Sequence, residues 1–199
     1  TGGSLVSFLT RTLVALQLDT SRWQFFFCDE RYVPNDHSDS TFNAYKTQML
    51  QKLPNIQESQ FLKADTALPL DECAQVYETE LKRIFGNELP EFDMLLLGMG
   101  PDGHTCSLFP GQPSSLAEKQ RLIIPISDSP KPPPQRITFT LPLVNNARHV
   151  IFVVTGANKS AVVKRVFEQR DEELPASWIE PTHGELTLIA DADAADTLS

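Results

Sequence analysis

The stretch from Gly98 to Pro110, GMGPDGHTCSLFP, gathers residue types that do chemistry at short spacing. His104 lies two residues after Asp102 in a glycine-rich turn, and an imidazole whose ordinary pKa is about 6.5 can take a proton at neutral pH. The pair could be a base with its orienting carboxylate, or a loop histidine that orders its own turn. Gly98, Gly100 and Gly103 also satisfy G-x-G-x-x-G after an apolar run, a spacing suited to a dinucleotide site when a helix starts in the loop. Here Pro101 lies inside the turn and Pro110, Gly111 and Pro113 interrupt the chain almost at once. A crossover helix is therefore ruled out, and with it a nicotinamide or flavin site. No G-x-S-x-G surrounds Ser107, so a serine-hydrolase elbow is absent. Asp102, His104 and Cys106 without a second histidine make a poor metal site.

Three further groups of polar residues carry weaker signals. Asp29, Glu30 and Arg31 close an apolar run; they could orient a base and hold a phosphate, or form a solvated cluster of ion pairs. Gly2, Gly3 and Ser4 precede an apolar-periodic segment, as at a helix start whose free N–H groups meet an anion, although Gly-Gly-Ser is also an ordinary helix entry. Arg136 at a strand start and Lys159 just after Thr155-Gly156 could add positive charge, or lie on the surface. His37, His149 and His183 have weaker claims than His104.

These groups need a scaffold. Trp23 to Cys28 (WQFFFC), Phe92 to Leu97 (FDMLLL) and His149 to Thr155 (HVIFVVT) are short apolar runs that end at polar or glycine residues, as buried parallel strands do. Arg136 to Leu141 alternates like a strand, and Leu186 to Ala190 reads as a weaker one near an edge. Helical spacing recurs at Leu5 to Leu16, Thr41 to Leu53, Leu70 to Phe85 and Lys159 to Phe167. Strands alternating with helices predict an α/β fold with a mostly parallel sheet, whose ligands bind beyond the carboxyl ends of the strands. Pro130, Pro132, Pro133 and Pro134 in SPKPPPQ predict a rigid loop within one domain rather than an SH3-type ligand.

Composition sets the bounds. The 199 residues suffice for one domain with a real core, and no apolar run approaches the roughly 20 residues that span a bilayer. Seventeen basic against twenty-six acidic residues give a net charge of −9, which disfavours nucleic acid and anionic membrane as partners. An anionic small molecule then needs a locally basic pocket. Cys28, Cys73 and Cys106 are odd in number and contain no C-x-x-C pair, so neither a disulfide framework nor a zinc module is indicated, and a reducing cytoplasm fits.

The sequence resembles the 6-phosphogluconolactonases over nearly its whole length. The resemblance is carried by TGGS at 1–4, CDERYVPNDHSDST at 28–41, FDMLLLGMGPDGHTCSLFPG at 92–111, PISDSPKPPPQRITFTLP at 125–142 and FVVTGANKSAVVKR at 152–165. It implies a single Rossmann-like α/β lactonase domain over 1–199, related to the glucosamine-6-phosphate isomerases. It also implies hydrolysis of 6-phosphogluconolactone in the oxidative pentose phosphate pathway with no metal or cofactor; a monomer is expected. On the same resemblance His104 is the base that activates water and Asp102 and Asp29 shape its site. Gly2, Gly3, Ser4, Arg31, Arg136 and Lys159 surround the phosphate and the sugar. Two departures stand out: Thr1 replaces the usual serine, and the strand-helix-strand unit that precedes the glycine motif in the family is missing, which makes an inactive sugar-phosphate-binding form an alternative. The related amino-sugar-phosphate isomerases/deaminases place a glutamate after the histidine, whereas Thr105 to Ala117 contains no carboxylate.

Overall fold

A computed structural model describes residues 2–86 and 88–199; Thr1 lies outside the described residues. The first helix, α1 (Ser4–Leu16), buries Leu5, Val6, Thr10 and Leu13 at helical spacing and ends where Gln17 turns left-handed and donates its N–H to the Leu13 carbonyl. α2 (Thr41–Tyr45) passes into a π-helical turn, Lys46–Leu50, so the helix expected over 41–53 is real but changes pitch midway. α3 (Leu70–Ile84) carries Asp71 and Glu72 in its first turn and Lys82 and Arg83 in its last, matching the helix dipole. Its Cys73, Ala74, Tyr77 and Leu81 face the core.

Among the described residues six strands form two sheets of three. β2 (Leu95–Leu97), β5 (His149–Val154) and β6 (Glu185–Ala190) run parallel in the order β2-β5-β6, with Leu97 opposite Phe152 and Val154 opposite Ala190. Val150, Phe152 and Val154 are fully buried, and α6 (Ser160–Phe167) packs Val162, Val163 and Val166 into the same core. This is the parallel sheet flanked by helices that strand-helix alternation predicts. The second sheet is antiparallel. It comprises β1 (Asp29–Arg31), β3 (Ile123–Ile126) and β4 (Arg136–Phe139), with β4 central. Short helices α4 (Pro113–Ala117), α5 (Leu141–Val144) and α7 (Ala192–Ala195) connect or end these elements.

The run Trp23–Cys28 departs from its expected strand. Phe25 makes a single parallel bridge to Phe61, and the Phe27 N–H donates to the Tyr77 hydroxyl at 2.9 Å instead of to a neighbouring strand. Only the polar residues just after the run enter a ladder, as β1. An apolar groove of about 790 Å³ lies between this run and β2, lined by Phe25, Phe26 and Phe27 on one side and Phe92, Leu95 and Leu96 on the other. Ladder pairing across that space is what a full strand here would require. Among the described residues no helix is long and apolar enough to cross a membrane.

Candidate active site

The loop after β2 and the turn after β5 leave the same, carboxyl end of the parallel sheet, so topology alone gathers His104 and Lys159 there. The loop is closed by two backbone hydrogen bonds, Gly100 N–H to the His104 carbonyl at 2.9 Å and Gly103 N–H to the Gly100 carbonyl at 3.0 Å. Gly103 has φ of +79°, and Gly100 leaves room for the side chains that fold back over it. A Cβ on Gly100 would overlap Nδ1 and Cε1 of His104 and Oδ1 of Asp102. The loop then enters a small bridge between Thr105 and Leu108 rather than a helix, consistent with the prolines that follow.

His104 Nδ1 lies 2.5 Å from Asp102 Oδ1, and the imidazole packs against Phe109 with 4.8 Å between ring centroids. Nε2 makes no hydrogen bond with a described residue, so one nitrogen is held and the other is available. Burial lowers the basicity of His104 below its usual 6.5, outweighing the pull of Asp102 in the other direction. Burial works against ionising Asp102, but its hydrogen bonds and charge contacts with His104 and Lys131 bring its carboxyl down to about 2. A neutral imidazole beside an ionised carboxylate is the state in which a histidine can act as base.

Asp29 lies beneath this pair on β1 and is 4% exposed. Its Oδ2 accepts from the Ser107 hydroxyl at 2.9 Å and lies 3.9 Å from Arg136 Nη1, while Oδ1 is buried without a partner. Ser107 N–H in turn donates to the Thr138 hydroxyl at 3.0 Å, and Arg136 Nη1 donates to the Ser107 hydroxyl at 3.4 Å. The histidine loop is thus stitched to the antiparallel sheet at several points. Glu30 belongs to a different structure. Its carboxylate accepts the N–H groups of Arg31, Thr41 and Phe42, capping α2 from a site only 1% exposed. Successive side chains of a strand point to opposite faces, which separates these two adjacent carboxylates.

Arg136, expected near phosphate, is 3% exposed and already engaged. Its guanidinium donates to the carbonyls of Lys131, Pro132 and Pro133, at 3.0, 3.2 and 3.1 Å, so it clamps the proline-rich loop. Arg31 Nη1 donates to the Asp39 carbonyl, and its buried Nε has no partner among the described residues. Gly3, with φ of +71°, caps α1 without any side-chain acceptor at the helix start. Gly2 faces Thr41: an added Cβ would lie 3.3 Å from the Thr41 hydroxyl, itself buried and without a partner among the described residues. Gly2, Gly3, Ser4 and Thr41 thus form a corner at the N-terminus of α1 where donors await an acceptor. Lys159, half-buried at the start of α6, has its ammonium disfavoured by burial and by Lys131, against the attraction of Asp191.

Two members of this site had no distinguishing mark in the sequence. Thr41 is one of many threonines, and only its position at the start of α2 brings it to Gly2. Lys131 was visible solely as part of a rigid proline loop, yet its Nζ lies 3.0 Å from both Asp102 Oδ1 and His104 Nδ1. Among the described residues no group of three His, Cys, Asp or Glu side chains is placed to hold a metal ion.

Comparison with known proteins agrees with this geometry. The model of a family described as glucosamine-6-phosphate isomerases/6-phosphogluconolactonase matches residues 1–188. The "Probable 6-phosphogluconolactonase" of Drosophila melanogaster is 61% identical over 193 residues, which is 97% of this chain and 78% of the relative. The 6-phosphogluconolactonase of Homo sapiens is 50% identical over 205 residues, covering 100% of this chain and 79% of the relative. Among solved structures, the 6-phosphogluconolactonase from Trypanosoma cruzi superposes with a TM-score of 0.83 at 30% identity, over 100% of this chain and 82% of that one. The chain belongs to the glucosamine-6-phosphate isomerase/6-phosphogluconolactonase family.

Proposed function

We propose that this protein hydrolyses 6-phospho-D-glucono-1,5-lactone to 6-phosphogluconate, with His104 as the general base that activates water. The observation that carries the proposal is the held imidazole, with Nδ1 fixed against Asp102 at 2.5 Å and Nε2 free. In this scheme Nε2 takes a proton from water as the oxygen attacks the lactone carbonyl. The tetrahedral intermediate then expels the ring oxygen, and the imidazolium returns the proton to it as the C–O bond breaks. Atoms and charge balance without redox chemistry, and a lactone is an activated ester, so the scheme calls on neither metal nor cofactor. A positioned base contributes roughly 10²–10⁴ in rate.

The phosphate is assigned to the α1 N-terminus, supported by the N–H groups of Gly3 and Ser4, the helix dipole and the Thr41 hydroxyl beside Gly2, with Arg31 as its proposed cationic partner. Lys131 and Lys159 supply positive charge on the base side of the site. A chain of net charge −9 can hold an anionic sugar only at such a local cluster. Isomerisation and deamination of an amino-sugar phosphate, the other chemistry named in the family, is disfavoured by the absence of a carboxylate from Thr105 to Ala117.

The test is lactone hydrolysis followed in a pH-stat with the chain and with His104→Asn, alongside 6-phosphogluconate binding by calorimetry. The expected result is hydrolysis by the native chain, with turnover lost by about 10²-fold or more in the variant while binding persists. Near-normal turnover in His104→Asn overturns the base. Binding without turnover in the native chain points to a sugar-phosphate-binding form, and ammonia release from glucosamine 6-phosphate to the isomerase chemistry.

A further inference from the structure

Lys131 is not among the site residues that the sequence motifs or the family resemblance assign, yet it makes the closest cationic contact with His104 and Asp102. Its place is built rather than incidental. Its own carbonyl accepts from Arg136 Nη2 at 3.0 Å and from the Ser129 hydroxyl at 2.8 Å, and its N–H donates to that same hydroxyl. A buried arginine and a rigid proline run thus fix the point from which the side chain departs. From there Nζ reaches 3.0 Å from Asp102 Oδ1 and 3.0 Å from His104 Nδ1.

The three atoms form a triangle with one consistent protonation pattern. A bare Nδ1 lone pair at 2.5 Å from a carboxylate oxygen is repulsive, so the proton lies between them and belongs to Nδ1–H. Lys131 then has no lone pair to meet on Nδ1, and its hydrogen bond goes to Asp102 Oδ1. The ammonium therefore does two things. It anchors the carboxylate that fixes the imidazole tautomer, and it places a positive charge beside the ring that would have to become positive on protonation.

We propose that Lys131 is a positioning residue for the water-activating histidine, anchoring Asp102 against Nδ1–H so that Nε2 is presented free and unprotonated to the substrate. The proposal rests on His104 being the base. The charged groups facing His104 are Asp102 on its own loop, Lys131 on the proline-rich loop and Asp29 on β1, with Lys159 acting on Lys131 from the turn after β5. The two carboxylates favour the imidazolium, and Lys131 is the cation opposing them.

The test compares Lys131→Met and Lys131→Arg with the native chain. Two readouts are used: the ¹⁵N-detected titration of the His104 imidazole, which needs no turnover, and the pH profile of kcat/KM for lactone hydrolysis. A unit charge removed from about 3 Å in a water-like dielectric predicts an upward move of the His104 midpoint by about one pH unit. In Lys131→Met the acid limb of kcat/KM moves by the same amount, giving up to about tenfold loss on that limb and recovery at alkaline pH. Lys131→Arg keeps the charge and stays within a few tenths of a unit of the native midpoint. A purely structural part for Lys131 in holding its loop would lower activity at every pH and leave the midpoint alone. An unmoved midpoint in Lys131→Met, with His104→Asn inactive, overturns the proposal and leaves the base standing. An active His104→Asn overturns the base itself, and with it the positioning role.

Discussion

Gly100→Ala is the sharpest perturbation that the candidate site offers, because a single methyl group would occupy the space of His104 and Asp102, the proposed base and its carboxylate. The added Cβ would overlap His104 Nδ1 and Cε1 and Asp102 Oδ1. The backbone at Gly100 is not in the left-handed region, so alanine brings no conformational strain there. Both overlapping side chains retain some exposure, with Asp102 36% and His104 18% exposed, so they can move aside without tearing the core. Relief requires a displacement on the order of 1 Å, and a misplacement of that size in a catalytic group costs about 10²-fold in rate. The expectation is a folded protein, with kcat for lactone hydrolysis in a pH-stat down by about 10²-fold and 6-phosphogluconate affinity within about threefold of native. Gly98→Ala is the matched control. Gly98 precedes the same turn, yet a Cβ there meets nothing within 4 Å, so its turnover should be nearly native. Equal activity in the two variants would refute the claim that loop packing holds the base in place.

Three other outcomes follow from particular contacts. Burial depresses the folded His104 midpoint below 6.5, so kcat/KM should stay level as pH falls to that value and drop as pH passes below it; Asp102, held near 2, adds no further limb in the mildly acidic range. A midpoint above 6.5 contradicts the burial argument. Thr41→Val removes a buried hydroxyl that has no protein partner, so urea unfolding should change by less than about 0.5 kcal/mol while 6-phosphogluconate affinity falls roughly tenfold. Unchanged affinity would take Thr41 out of the phosphate corner. Glu30→Gln replaces one acceptor oxygen of a buried cap by a donor facing backbone N–H groups, and should destabilise the fold by about 2 kcal/mol in urea unfolding, with kcat of the folded fraction unchanged.

What the sequence discloses is what repeats locally or is fixed by backbone limits. The spacing of Leu5, Leu9 and Leu13 and the stripe through Cys73, Tyr77 and Leu81 recur over one or two turns, the apolar run His149 to Thr155 ends at a glycine, and the corresponding elements form close to where they are expected. The loop from Gly98 is legible for a similar reason: prolines forbid the helix, and only a tight turn is left to carry Asp102 and His104. Long-range pairing follows no such rule. The apolar run Trp23–Cys28 has the composition of a buried strand, but a ladder depends on what lies beside it, and only Phe25 finds a bridge, to Phe61.

The same limit governs the polar residues. Asp29 and Glu30 are chemically alike and adjacent, yet the strand pleat sends one to Ser107 and Arg136 in the active-site wall and the other to the α2 cap. Arg136 has the charge of a phosphate ligand, but a guanidinium surrounded by three loop carbonyls has its donors committed, and its effect reaches the chemistry through the residue it fixes. That residue is Lys131, which four surrounding prolines make conspicuous as a loop and anonymous as a cation. Its Nζ meets Asp102 and His104 only because β4 places Arg136 beneath the loop. The proposed base is thus written in one segment, whereas the charge balance proposed to keep it unprotonated depends on β1, β4 and the proline loop meeting beyond the end of a sheet to which none of them belongs.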